Sequence, residues 1–490
     1  MKKLLICLLA MCLLVPALVA CDKDDGGDKS VEIDETLTVK PIDLGGRKIN
    51  VLCRAFGADT KSILGYTGEI IYAEENPSTV DEAKREVVEY IEGAFNCEIE
   101  GMNTSETISE IVTRQITSQL HDYQLYFDSF RNAAQIATSG NSLDLNDVPN
   151  LDLTDPWWDQ NAVKDLSVND KLFFVCGDIN TYDDQGTWCV LFNKELKKSL
   201  GIEEDFYKLA QDGKWTFEKF TEICAESGAT MDLNGNGQDE RDRWAFGTET
   251  YNIYVHAVAA GYKIAQKDES TDLPYLTITK QPSGTYKVLQ DTVDFYSSKD
   301  VMVANGGKYT YDNVWEETVH KSFIEGRELF YMCGLINVAS FRQMEDEFGI
   351  LPVPKFYKEQ DRYYHTVSVD NSSFMFLPIH AGQGDDIPLD QLGTVISAIA
   401  ELSQKKVTYA YREVQLKYRD ARDSESEKML EIIFDTRTFD LGCAFNWGGI
   451  LDEYMKLSGS PESNFSAIKV KAQTEMEKTI EKLKLDEAAE

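Results

Sequence analysis

The sequence predicts an α/β protein, and three observations carry the prediction. Over the first third of the 490-residue chain, short apolar strand-like runs alternate with helical stretches, the pattern of a parallel sheet covered on both faces. Apolar residues make up 42% of the chain and aromatics 11%, ample for sizeable cores and enough to exclude a wholly disordered protein. The length allows two or three domains.

Taken in order, Arg47–Cys53 reads as a first strand. Asp81–Phe95 carries Val87, Val88, Ile91, Ala94 and Phe95 at helical spacing, and Cys97–Glu100 follows as a second strand. A helix over 106–120 leads into a strand at Tyr123–Phe127 and a helix from Arg131 to about Thr138. The second half is more helical. Phe206–Leu209 and Phe217–Ser227 flank Gly213-Lys214-Trp215-Thr216, where Thr216 is a good N-cap without the acidic partner of a full capping box. Val288–Ser298, Leu389–Leu402, Lys405–Tyr418 and Ser424–Phe434 also show helical spacing. The tail from Pro461 to Leu485 predicts a long charged helix that buries Phe465, Ile468, Ala472, Met476 and Ile480.

Charge narrows the partners. Eighty-four acidic side chains against 49 basic ones leave a formal net charge of −35, which repels nucleic acid and anionic membrane surfaces. The first 21 residues read as an export signal: Lys2 and Lys3, an apolar run interrupted by Pro16, and Leu18-Val19-Ala20-Cys21, which resembles a bacterial lipobox. That resemblance implies a signal peptide over 1–20, with Cys21 taking the lipid (palmitate among its acyl chains). Residues 21–46, opening on Asp22-Lys23-Asp24-Asp25-Gly26-Gly27, predict a flexible acidic tether. Seven cysteines remain in the body, an odd number without a CxxC pair, so no disulfide framework or zinc site emerges. They read as small core residues.

Several segments, in order and behind the lipobox, resemble the family 1 extracellular solute-binding lipoproteins of sugar-type ABC importers, relatives of maltose-binding protein. Tyr123–Phe127 with Ala133-Ala134 and Ser142–Leu145 is similar to the strand, helix and loop of the family's first lobe. Trp188–Leu196, Gly213–Phe220, Arg327–Met332 and Gly349–Pro354 resemble successive segments of the second lobe and its crossovers. The resemblance implies two α/β lobes joined by crossover hinges with a ligand cleft between them. Carried onto this chain, lobe one is 47–175 plus 333–368 and lobe two is 176–332 plus 369–490. Hinge closure is expected near Cys176–Tyr182, Met332–Val338 and Val369–Ser373. The implied function is capture of a sugar or oligosaccharide by a monomer anchored outside the cytoplasmic membrane, for delivery to an ABC permease.

A cleft for carbohydrate needs flat apolar faces for sugar C–H surfaces and planar polar groups for hydroxyls. Trp157, Trp158, Tyr182, Trp188, Tyr251, Trp315 and Trp447 are aromatic candidates. Trp447 leads them because relatives place a ligand-stacking aromatic there. Tyr182 and Asp183 lie at the expected first crossover. Asp128, Ser129 and Arg131 follow a strand carboxyl end, where α/β sheets bind ligands.

Asp232-Leu233-Asn234-Gly235-Asn236-Gly237-Gln238 opens like a calcium loop, with side-chain oxygens at positions one, three and five and glycine at six. Position twelve is Arg243 rather than glutamate, so Glu240 and Asp242, with Asp239 in reserve, must close the site. The expected ligands are Asp232, Asn234, Asn236, the Gln238 carbonyl, Glu240 and Asp242, holding one structural Ca2+. Loops of this kind with early closure occur in members of the family it resembles. The alternative is a solvated Asn-Gly turn.

A secreted glycoside hydrolase is the competing function, requiring two positioned carboxylates. No G-x-S-x-G, H-E-x-x-H or phosphate loop is present, and the five histidines have no ligand spacing. A helical-repeat carbohydrate-capturing lipoprotein is a third class, and the alternating first third argues against it. The expectation is a binding protein that is not an enzyme.

Overall fold

The computed structural model describes residues 37–55, 68–342, 344–384, 387–421 and 424–484. The expected export signal and Cys21 lie outside them. The strands in chain order are β1 (Arg47–Arg54), β2 (Cys97–Thr104), β3 (Leu125–Asp128), β4 (Trp188–Asn193), β5 (Trp244–Thr248), β6 (Ala265–Asp268) and β7 (Leu273–Leu276). Then come β8 (Val301–Val303), β9 (Glu328–Gly334), β10 (Phe348–Leu351), β11 (His365–Thr366), β12 (Phe374–Phe376) and β13 (Arg437–Thr438).

Two sheets organise two lobes. The first has order β12-β3-β1-β2, with β1 parallel to β2 and β3 and with β12 antiparallel to β3. The second has order β10-β4-β9-β5-β8, parallel across β9-β5-β8 and antiparallel across β10-β4-β9. This is the two-lobe α/β architecture that the resemblance implied.

The local reasons are visible at single residues. Ser78 caps the helix Thr79–Phe95 with a reciprocal box through Asp81, and Asn96 ends it in the left-handed conformation at φ 49°. Its Val87, Val88, Ile91 and Phe95 are at most 4% exposed. In the second lobe the fully buried Trp215 packs among Phe206, Phe220 and Phe330 and donates from Nε1 to the Pro352 carbonyl at 2.8 Å. Thr216 does cap the next helix, accepting from Lys219 N. The tail helix runs Pro461–Lys484 and buries Phe465, Ala472, Met476 and Leu483.

Two expectations need correction. The residues after β9 and around β12 lie in the lobes opposite to those expected: β10 pairs with β4 in the second sheet, and β12 pairs with β3 in the first. So β10 continues lobe two, and the chain returns to lobe one at β12. Both strands are antiparallel additions at sheet edges, whose partners are not sequence neighbours. The stretch 37–46, expected to belong to the tether, is packed instead. Glu401 accepts from the backbone of Thr38 and Val39 and from the Thr38 hydroxyl, and Leu44 is 3% exposed.

Candidate functional site: the cleft between the lobes

Three crossover segments run side by side between the sheets. Thr187 bridges Val367, Leu335 N donates to the Thr187 carbonyl, and Ser368 N donates to the Gly186 carbonyl. They are close-packed: a Cβ added to Gly186 would sit 2.2 Å from the Asn371 carbonyl oxygen. Glu69, fully buried, caps the first crossover by accepting from Thr181 N and Oγ1 and from Tyr182 N.

A knot of charge locks the crossover to distant chain. Arg437 reaches Asp159, Asp183 and Asp184, and Arg412 forks onto Asp184 through two bonds of 2.6 Å. Burial opposes the charge on Asp184, but the two guanidiniums outweigh it and hold its carboxyl below the ordinary range. Burial pushes Asp183 upward.

At the carboxyl ends of β5 and β9 lies a cavity of about 320 Å³. Its lining includes Gly186, Gly334, Ser368 and Asn371 of the crossovers together with Trp188, Glu249 and Trp315 of lobe two. Position explains the lining. Trp188 opens β4 opposite Gly334, and Glu249 follows β5 directly. Trp188 stacks on Tyr251 with centroids 5.3 Å apart, while Trp315 is fixed by Nε1 donating to the Tyr331 hydroxyl at 2.8 Å. Across from them, Arg131 of lobe one forks onto Asp370 at 2.8 and 3.1 Å, and Arg54 donates to the Asp370 carbonyl. A larger depression of about 660 Å³ sits beside the glycine loop, lined by Trp244, Lys308, Tyr309 and Leu457. Among the described residues no crossover residue lines it, and the cleft is the crossover-lined cavity.

The structure sorts the expected site residues. Trp188 lines the cavity. Arg131 and Asp370 close on each other across the lobe–crossover junction, and Asp128 is buried, with Oδ1 accepting from Ser129 N and Asn132 Nδ2. Tyr182 and Asp183 are 0% and 1% exposed and belong to the packed crossover, a correction to their expected place at the ligand. Trp447 is also corrected. It is 3% exposed, stacks on Phe445 and donates to Thr479 Oγ1 of the tail helix. Trp157 and Trp158 are likewise buried. Glu249, Asn371 and Ser368 were missed, because nothing in their local sequence marks them.

The glycine loop is held by its own groups. Asp232 accepts from the backbone of Asn234, Gly235 and Gly237, and the fully buried Asp242 accepts from Leu233 N and Asp239 N. Tyr311 donates to Glu240, Arg241 pairs with Asp239, and Lys308 donates to the Gln238 carbonyl at 2.8 Å. Among the described residues no group of three carboxylate, histidine or cysteine side chains converges as a metal site. A cation held here would draw on Asp232, Asn234, Asn236, the Gln238 carbonyl and Asp242 as its oxygens. Glu240, turned to Tyr311, is outside that set.

No protein-family model and no curated protein sequence matches this chain. The fold is nevertheless that of the two-lobe, maltose-binding-protein-like solute-binding proteins, the class to which many similar solved structures belong. Among them, the sugar-binding protein MalE of Xanthomonas citri has a TM-score of 0.57 at 12% identity, covering 89% of this chain and 98% of that one. The cyclic α-maltosyl-1,6-maltose binding protein of Arthrobacter globiformis has a TM-score of 0.54 at 13% identity, with 90% and 98% covered. UgpB of Mycobacterium tuberculosis, solved with glycerophosphocholine, has a TM-score of 0.54 at 16% identity, with 85% and 100% covered.

Proposed function

We propose that this protein is the substrate-binding component of an ABC importer, lipid-anchored through Cys21 outside the cytoplasmic membrane, which captures a sugar-sized polyol between its lobes. The single observation that carries the reading is the crossover-lined cavity, which joins two tryptophan faces to the amides of Asn337 and Asn371. Indole faces suit sugar C–H surfaces, and amides suit hydroxyls. Solved proteins of this fold hold maltosyl sugars or glycerophosphocholine, which fits a polyol here. Hydrolysis is disfavoured: a glycosidase needs a pair of carboxylates about the scissile bond, and Glu249 is the one carboxylate among the described lining residues.

Calorimetry and tryptophan fluorescence across a glycan and polyol library test the reading. Saturable binding without product, lost in Trp188→Ala, is expected. Product formation from a bound glycan overturns it. The 232–242 loop is proposed as a calcium-dependent staple of lobe two, outside the cleft; binding there would withdraw the Gln238 carbonyl from Lys308.

A further inference from the structure

Glu249 is the one ionisable side chain among the described residues that line the cleft cavity. It is half-buried, at the carboxyl end of a parallel strand, and no hydrogen bond or ion pair to its carboxylate is found. The carboxylates elsewhere in the crossover region have partners: Asp370 has Arg131, Asp184 has two guanidiniums, and Glu69 has Lys84 and three donors. The groups facing Glu249 are Tyr331 and Cys333 on β9 and Tyr296 on the helix Pro282–Tyr296, all held neutral by burial. Beside it the Trp188 indole N–H is itself buried without an acceptor, on a ring 8% exposed. An unpaired carboxylate in a cavity lined by aromatic rings is chemistry complementary to an ammonium ion, which gains from both the charge and the ring quadrupoles.

We infer that the ligand captured in this cleft carries a positively charged nitrogen, a protonated amine or quaternary ammonium on a polyol frame, seated against Glu249 and the Trp188 and Trp315 rings. The inference rests on the cleft being the ligand site. The charge of −35 on the whole chain points the same way, since its field draws cations toward the molecule.

A proton link follows. Burial pushes the Glu249 carboxyl up to about 7, so in the empty cleft it is substantially protonated at neutral pH. A cationic ligand requires the ionised form and must expel that proton. Affinity therefore rises with pH up to about 7 and levels off above it, until the ligand's own amine deprotonates. A neutral sugar that accepted a hydrogen bond from protonated Glu249 would show the opposite slope.

The experiment uses the exported body of the protein and matched probes: chitosan oligosaccharides bearing free amines, their fully N-acetylated counterparts, glucose oligosaccharides, and glycerophosphocholine. Titration calorimetry in buffers of different ionisation enthalpy, from pH 5.5 to 8, reads affinity and proton release together. Expected is a preference of about tenfold or more for a charged probe over its neutral counterpart, with proton release below pH 7. In Glu249→Gln the preference collapses while the melting temperature holds, and Glu249→Asp recovers part of it. Equal binding of charged and neutral probes, or a preference unchanged in Glu249→Gln, overturns the cation and leaves the cleft reading intact. Binding by no probe, charged or neutral, overturns both.

Discussion

Arg437 shows how much depends on single side chains here. It is 4% exposed and bonds three carboxylates from two separate stretches of chain. Arg437→Ala strands those charges in the interior, and chemical denaturation should show a loss of about 3–5 kcal/mol. The sign of the pH effect follows from Asp184, whose folded carboxyl lies below its unfolded value. Its contribution is present above the unfolded pKa, near 3.9, and is lost as pH falls through the depressed folded value. Wild-type stability should therefore drop on acidification below about pH 4, more steeply than that of the Arg437→Ala variant. The thiols give a second test at this scale. Cys53, Cys176, Cys189, Cys224, Cys333 and Cys443 are buried, and burial raises Cys97, the partly exposed one, to about 11. Among these seven, alkylation of the native protein at neutral pH should label Cys97 slowly and the rest only on denaturation, as peptide mapping would show.

At the scale of elements, the packing of Trp447 against the tail helix separates structure from ligand contact. Trp447→Ala should cost about 3–5 kcal/mol in thermal or urea unfolding, while affinity for a verified ligand, measured below the melting transition, stays unchanged. A large loss of affinity without loss of stability would restore Trp447 to the cleft. The glycine loop makes a paired prediction. Asp242 is buried and supports two loop amides, so Asp242→Ala should destabilise by about 1–3 kcal/mol without calcium and by more with it. Calcium at a hundredfold excess over its Kd should add about 2.7 kcal/mol to the wild type and nothing to Asp232→Ala. Melting indifferent to calcium would leave the loop as a turn closed by its own amides.

At the scale of the molecule, three side-by-side crossovers between two sheets form the structure that a hinge requires, and closure around ligand is the motion such a hinge permits. Small-angle scattering should show a smaller radius of gyration at ligand saturation. An unchanged radius would mean that the Arg131–Asp370 pair already holds the lobes in their ligand-bound spacing.

What the sequence determined by itself was whatever short-range chemistry sets. The alternation of Asp81–Phe95 with Cys97–Glu100 was enough for a parallel sheet, because periodicity reports which face of each element is buried. The Thr216 cap and the tail-helix stripe were legible for the same reason. Only the tertiary structure decided the rest. An apolar β10 or β12 is equally at home at the edge of either sheet, so its lobe depends on a partner chosen across the fold. A tryptophan between an asparagine and a Gly-Gly pair reads alike whether it meets ligand or the tail helix, and Trp447 meets the helix. Glu249 looks like one more acid among 84. What sets it apart is a missing partner in the crossover-lined cavity, and partners are supplied by residues distant in the chain, where local pattern carries no information.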